Sequence, residues 1–488
     1  MSKKFQHLTS PGRIGTLETR NRMVVSAMGI NLANEDGTCG DRIVAFHERH
    51  AKGGIGLIVM GVTSIAWPSG ASIPRSVGIS EDKFIPGLKT MTTAVHHYGA
   101  KIAAQLHHGG LSAAQDMKAG RPILVPSYPS QGISNLAEGM LKSEMAAFMD
   151  ADMPTPKLQV MNQDDIDQIV AQFGTAAARA KETGFDGIEI HGGHGYMISG
   201  FLSPALNQRD DRYGGSLENR ARLLTEIIGS VRSAVGDDFP LWCKLDSIEY
   251  GKTDGITLTD AIEAARLGEK AGVDAITVSA YHDANRGALH SESNIPHVPN
   301  RMVSNAAAIK HSLSIPVIAS GRIEPESAEK HIASGQYDFF GMGRKILADP
   351  DLPNKLQAGT PADIRPCIYC YCCVSQIYVS KQIKCAVNPE AGFEKERELI
   401  TSDCPRHVAV VGGGPAGMEV ARRLSLRGFK VSLIESAKKL GGTLPFASIA
   451  YRPNEELLKW LRRQVEQSTV EIHLNTEATV DTLRRMNF

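Results

Sequence analysis

The sequence predicts an α/β protein: a closed (β/α)8 barrel, then a short cysteine-rich segment, then a smaller Rossmann-like unit. Three observations carry this. Eight short apolar runs alternate with amphipathic helical patterns between about residues 20 and 350. Five of the eight cysteines, Cys367, Cys370, Cys372, Cys373 and Cys385, crowd into one segment. A glycine-rich turn at 412–417 sits between a strand-like and a helix-like pattern. The expected division is 1–360 for the barrel, 361–400 for the cysteine segment and 401–488 for the dinucleotide unit.

The eight apolar runs lie at 22–28, 56–62, 101–106, 187–191, 241–245, 275–279, 316–319 and 338–342. They are nearly continuous rather than alternating, which suits strands buried on both faces of a parallel sheet. Helical patterns such as DDIDQIVAQFGTAAARAKETG and SLENRARLLTEIIGSVRSAVG fill the intervals, and several stop at glycine: Gly99, Gly184, Gly236, Gly272 and Gly335. A glycine past a helix end supplies the left-handed residue that turns the chain toward the next strand. Pro325 after Glu324 reads as a first-turn proline, and Thr257 with Asp260 as a capping box. Eight such repeats indicate a TIM barrel. A doubly wound open sheet is the alternative, but no switch point is evident. Residues 111–159 carry little periodicity and read as a long loop at the catalytic face after the third strand.

Bulk properties exclude several classes. Lysine plus arginine balance aspartate plus glutamate, 53 against 53, so nothing draws the chain to nucleic acid or anionic membrane. The basic start, MSKKFQHLTS, has no apolar stretch behind it and is not a signal peptide. No apolar run reaches the roughly 18 residues a membrane span requires. The expected location is therefore cytoplasmic. The sequence leaves the oligomeric state open.

A barrel of this kind holds its ligand at the C-terminal ends of its strands. Gly321 and Arg322 follow the seventh run, and Gly343 and Arg344 the eighth. Glycine-exposed N–H groups with an arginine fork suit a phosphate dianion. One such pair is most simply a turn with a surface arginine; two at consecutive strand ends favour phosphate. The fourth run ends in HGGHGY, with His191, His194 and Tyr196. Two imidazoles three residues apart can aim N–H donors at one carbonyl oxygen, and a phenol can supply a proton. A lone histidine there would read as core. Lys244 is either a fixed positive charge beneath a ring that becomes anionic or the partner of Asp246. Gln105 can hydrogen-bond a flavin ring edge, and His282 faces the same mouth.

Cys367, Cys370, Cys373 and Cys385 give C-x2-C-x2-C-x11-C. Three thiolates in one loop and one beyond it can wrap an iron–sulfur cubane, whereas zinc sites more often present two separated pairs. Cys372 competes with Cys373 for the third position. Gly412, Gly414 and Gly417 form G-x-G-x-x-G directly after HVAVV, and Glu435 ends the next strand-like run. The glycines let a pyrophosphate approach the backbone at a helix N-terminus, and the acid can accept from ribose hydroxyls. The fingerprint does not separate FAD from NAD.

RNRMVVSAMG, GAKIAAQLHHGG and GIEIHGGHGYMISGFLSPALNQRDDRYGGSLENRARL resemble the Old yellow enzyme family of FMN reductases. The cluster and nucleotide unit that follow resemble its multidomain iron–sulfur branch, which includes 2,4-dienoyl-CoA reductase, 2-enoate reductase and trimethylamine dehydrogenase. The resemblance covers essentially the whole chain. It implies FMN contacts at Ser26, Ala27, Met28, Gln105 and Lys244, and phosphate contacts at Gly321, Arg322, Gly343 and Arg344. It implies that His191 and His194 anchor the substrate, that Tyr196 donates a proton and that His282 assists it. It implies a [4Fe–4S] cluster, FAD in the glycine turn (ADP in the trimethylamine dehydrogenase branch) and NAD(P)H as electron donor. Three departures are visible: Ser26-Ala27-Met28 replaces Ala-Pro-Met, Lys244 replaces a commoner arginine, and Gly29 stands where a flavin-tuning cysteine or threonine is frequent. The expected activity is reduction of the C=C bond of a small unsaturated carbonyl, enoate or enoyl-CoA. Amine demethylation is the runner-up; it prefers an aromatic bowl and tyrosine at the place of His191. An electron carrier without its own substrate is the third reading. Reductases of this branch carry a nested NAD(P)H domain, so a chain ending at Phe488 is expected to be a shortened form.

Overall fold

The computed structural model describes residues 3–128, 143, 155–250, 252, 254–282, 299–486 and 488. Eight strands form the barrel: β1 Met23–Val25, β2 Leu57–Ser64, β3 Lys101–His107, β4 Gly187–Gly192, β5 Leu241–Tyr250, β6 Ala275–His282, β7 Val317–Ala319 and β8 Phe339–Met342. Each pairs in parallel with its chain neighbours, and β8 returns to β1 with Phe340 opposite Met23 and Met342 opposite Val25. That last pairing closes the sheet and disposes of the doubly wound alternative. Eight helices follow the strands in turn: α1 Asp41–Lys52, α2 Ile85–His97, α3 Gln163–Glu182, α4 Arg222–Val235, α5 Leu258–Ala271, α6 Val303–His311, α7 Pro325–Ala333 and α8 Leu352–Ala358. Thr257 and Asp260 make the expected capping box on α5, and Pro325 opens α7. All five helix-ending glycines have positive φ, between 70° and 104°.

Alternation along the strands sorts the side chains. In β5, Cys243 and Leu245 pack outward with the helices, while Trp242 points into the barrel; a period of two puts Lys244 and Asp246 on the same inner side. The floor of the barrel is a separate apolar cluster in which Trp242, Val24, Leu57 and Phe339 meet Ile14 and Leu17. The last two come from an N-terminal hairpin, Gly12–Ile14 paired with Leu17–Thr19. With the floor sealed, polar side chains near the strand ends face only the mouth.

Two stretches differ from expectation. The first strand stops at Val25: the Ser26 N–H still donates to Met342 O, and the chain then leaves the sheet, carrying Ser26, Ala27 and Met28 to the mouth. The supposed loop at 111–159 contains a short helix, Ala114–Lys118, and a parallel pairing of Pro122–Val125 with Lys157–Val160. These four-residue strands are stabilised by a partner more than 30 positions away, so no local period announces them. Residues 129–142 and 144–154 lie outside the described part.

After the barrel come α9 Cys372–Tyr378 and a parallel sheet, β9 His407–Val411, β10 Lys430–Ile434 and β11 Glu471–His473, with α10 Pro415–Leu426 and α11 Pro453–Glu466. Their own core gathers Val410, Met418, Leu433, Leu458, Trp460 and Leu461. Among the described residues no helix is long and apolar enough to cross a membrane.

Candidate active site

Register assembles the mouth. Lys244 lies opposite His191, Gln105 opposite Glu189, and Asp246 opposite Ser279 on neighbouring strands. Glu189, which sequence reasoning did not single out, is a buried hub: it accepts from Gln105 Nε2 (2.6 Å), Trp242 Nε1 (2.9 Å) and Thr277 Oγ1 (2.6 Å). Because a carboxylate can only accept, the Gln105 amide must turn its NH2 to Glu189. Its carbonyl oxygen then faces Gly61, where an added Cβ would sit 2.7 Å from it.

The predicted histidine–tyrosine cluster is assembled as one unit. His191 Nε2 and His194 Nδ1 are 3.0 Å apart, and His194 Nε2 lies 2.7 Å from Ser279 Oγ. His194 adopts a left-handed φ of 64°, uncommon for a residue with a Cβ. Its N–H donates to Asp246 Oδ2 at 2.5 Å, and Ser199 Oγ donates to the same oxygen at 3.2 Å. Asp246 thus fixes the turn, and the Lys244 charge acts on the same carboxyl. Burial pushes the Asp246 carboxyl up to about 8, an effect the His194 N–H opposes. Tyr196 packs edge-on against His107 (centroids 4.4 Å apart) and His191 (4.9 Å). Burial raises its phenol to about 12, so it is protonated at neutral pH. His107 is held neutral by the same cause, down to about 3, and its Nε2 is 3.1 Å from Ser72 Oγ. Nothing local marks His107, Ser72 or Ser279; only packing recruits them. His282 ends β6, but its side chain lies outside the described part.

The two glycine–arginine pairs converge as expected. Ser26, Ser320, Gly321, Arg322, Gly343 and Arg344 line one pocket. An added Cβ at Gly341, beneath it, would lie 2.4 Å from Ser320 Oγ and 2.8 Å from Ser26 Oγ, so glycine is required for the hydroxyls to meet. Two guanidinium groups and two hydroxyls are a donor set that fits a phosphate dianion.

Cys367, Cys370, Cys373 and Cys385 are close enough to act on one another: the Cys373 thiol is pushed up to about 12 by burial and by the other three. Cys385 is raised to about 11, again chiefly by burial, then by Cys367 and Cys370. The four are not drawn into a finished metal geometry among the described residues, but an all-thiol donor set, with Cys370 exposed and the other three half-buried, is of the kind that ligates an iron–sulfur cluster. In the glycine turn, Gly412 has φ 97°, and a Cβ on Gly417 would collide with Gly412 O at 1.8 Å. Gly414 caps α10, and Glu435 accepts from the Gly413 N–H at 2.6 Å. The fingerprint is therefore built at a helix N-terminus, where N–H groups meet a pyrophosphate.

Residues 7–363 match the model of the NADH:flavin oxidoreductase / NADH oxidase family. The chain belongs to that family. Residues 390–485 match the pyridine nucleotide-disulphide oxidoreductase family. The chain is 36% identical over 491 residues to an NADH oxidase of Thermoanaerobacter brockii, spanning 99% of this chain and 72% of that one. Two solved structures superpose over nearly its whole length. One is a 2-naphthoyl-CoA reductase in complex with 2-naphthoyl-CoA (TM-score 0.87, 28% identical, covering 99% of this chain and 72% of that one). The other is a histamine dehydrogenase from Rhizobium sp. 4-9 (TM-score 0.85, 27% identical, covering 100% and 68%). This NADH:flavin oxidoreductase is of the multidomain Old yellow enzyme kind, and its two matched families imply FMN in the barrel and FAD or NAD(P)H binding in the Rossmann-like unit.

Proposed function

We propose that this NADH:flavin oxidoreductase is an ene-reductase that saturates the C=C bond of an α,β-unsaturated carbonyl, enoate or enoyl-CoA. The observation that carries the reading is the His191–His194 pair packed beside a Tyr196 phenol that stays protonated far above neutral pH. A substrate carbonyl or carboxylate oxygen that enters between His191 Nε2 and His194 Nδ1, which face each other at 3.0 Å, would take a ring N–H from each where negative charge builds up. The neutral phenol beside them holds a proton for the α-carbon. His282 assists Tyr196 in this reading.

When bound, FMN would supply hydride to the β-carbon, with electrons reaching it from NAD(P)H through FAD and a [4Fe–4S] cluster. Gly321, Arg322, Gly343 and Arg344 would hold the FMN phosphate, while Ser26, Ala27 and Met28 line one side of the ring. Gln105, oriented by Glu189, would offer its carbonyl to the ring edge, and the buried Lys244 would supply a positive charge there. Cys367, Cys370, Cys373 and Cys385 would ligate the cluster. Gly412, Gly414, Gly417 and Glu435 would hold FAD, with ADP as the alternative occupant.

Similarity to a CoA-ester reductase supports this direction of electron flow; similarity to a histamine dehydrogenase supports the reverse. Histidine rather than tyrosine at 191 favours reduction. The test photoreduces the anaerobic holoprotein and mixes it in stopped flow with enones, enoates and 2-enoyl-CoA esters. Fast reoxidation by one of these classes is expected, slowed about 100-fold or more in His191→Ala or His194→Ala. No reoxidation by any alkene, together with bleaching of the oxidised protein by a methylated amine, replaces the reading with amine dehydrogenation.

A further inference from the structure

Two aromatic residues of the cysteine loop have no part in the scheme above. Tyr369 stands between Cys367 and Cys370, and Tyr371 between Cys370 and Cys372. Both have left-handed backbones, φ 50° and 61°, which a residue with a Cβ adopts only when its surroundings hold it there. Their rings lie against the two guanidinium groups of the glycine–arginine pocket. Arg322 is 4.6 Å from the Tyr369 ring centroid and 5.9 Å from that of Tyr371; Arg344 is 5.1 Å and 5.3 Å away. Arg322 also donates through Nη2 to the Tyr371 hydroxyl at 2.5 Å. Tyr369 is itself a wall of that pocket, beside Ser26, Gly321 and Gly343. Its hydroxyl donates to Glu324 (3.3 Å), which also takes the Lys345 ammonium at 2.6 Å.

We propose that the cysteine loop forms part of the flavin-phosphate site, with Tyr369 and Tyr371 as positioning residues that hold Arg322 and Arg344 aimed at the phosphate. This rests on the reading above that the two arginines bind the FMN phosphate. Two guanidinium groups and a neighbouring ammonium in one small pocket repel each other. An aromatic face attracts a cation without adding a net charge that would compete with the phosphate. The rings are therefore suited to pre-position the arginines at no electrostatic expense to the anion. The loop is in turn tied to the nucleotide unit, since the Tyr451 hydroxyl donates to Ile368 O at 2.8 Å and to Tyr369 O at 3.3 Å. Because coupling between two sites is reciprocal, holding the loop closed tightens the phosphate site, and an occupied phosphate site steadies the loop.

The test measures FMN and riboflavin dissociation constants by flavin fluorescence on the full chain for wild type, Tyr371→Phe, Tyr369→Leu and Arg322→Ala. Riboflavin lacks the phosphate, so it reports any general damage to the ring site. Tyr371→Phe keeps the ring and removes only the hydroxyl, so it guards against a misfolded Tyr369→Leu. Each tyrosine variant is expected to weaken FMN about 5- to 10-fold, with riboflavin unchanged, and Arg322→Ala to weaken FMN more strongly. If Arg322→Ala weakens FMN but neither tyrosine variant does, the positioning role is overturned and the phosphate site stands. If Arg322→Ala alters FMN and riboflavin alike, the phosphate site itself is wrong and the proposal falls with it.

Discussion

Asp246 carries more of the active site than its small side chain suggests. One carboxylate oxygen takes the His194 N–H and the Ser199 hydroxyl, and thereby holds His194 in its left-handed turn. The groups facing it are Glu249, whose charge raises it, Lys244, whose charge lowers it, and His194, with its imidazole Nε2 3.9 Å from Oδ1. The folded carboxyl keeps its proton to about pH 8, whereas an unfolded aspartate releases it near 3.9. The folded chain therefore binds more protons between those values. This group's contribution to stability falls as pH rises from about 4 to 8 and is level above that. Asp246→Asn keeps the acceptor but does not titrate. Its melting temperature relative to wild type is expected to climb from pH 5 to pH 8 and then hold steady; a gap independent of pH would remove the raised carboxyl from the account. Tyr196→Phe keeps the ring packing and loses the proton. Reoxidation of the reduced flavin by alkene is expected to slow about 100-fold or more, with little change in the affinity of a saturated analogue.

At the scale of elements, helix ends and glycine turns place the chemistry. The Thr257–Asp260 box starts α5 directly after β5, the strand bearing Lys244 and Asp246, and Asp260 also takes the buried Arg220 at 3.0 Å. Thr257→Ala is expected to lower stability by about 1 kcal/mol in denaturant unfolding. In the glycine turn, Gly417→Ala must push α10 away from Gly412 O. Adenine dinucleotide binding, followed by titration calorimetry, is expected to be lost while FMN content is kept. These elements were readable from sequence because their causes are local: a glycine at a positive φ, an acid three residues past a threonine, an apolar period. The split of SLENRARL into Leu217–Arg220 and Arg222–Val235 was not readable, since the Arg220 side chain is spent on Leu202 O, Gly215 O and Asp260 in other parts of the chain.

Across the whole molecule, one arginine ties the parts together. The Arg365 N–H donates to Asp349 beside α8, and its guanidinium reaches Asn388 and Glu419 and lies 4.7 Å from the Trp460 ring. Trp460 Nε1 donates back to Asp363 O at 3.0 Å. Removing this buried cation leaves Glu419 with Arg422 as its remaining cation among the described residues. Arg365→Ala is expected to loosen the Rossmann-like unit from the barrel, so that scanning calorimetry resolves an early transition ahead of the barrel's. A single unshifted transition would show that the junction is held by other contacts.

The sequence by itself determined the barrel and the glycine turn before α10, and it named the candidate side chains of the mouth, the glycine–arginine pocket and the cysteine loop. Hydrophobic period, glycine placement and motif spacing are properties of short stretches, and short stretches fix which face a residue takes. Tertiary structure decided which residues meet across strands. It set Glu189 under Gln105, Ser279 against His194, Asp246 on the His194 N–H, and two tyrosines of the cysteine loop on Arg322 and Arg344. A period of two tells a side chain to point inward, but only closure of the barrel and docking of the loop say what it finds there.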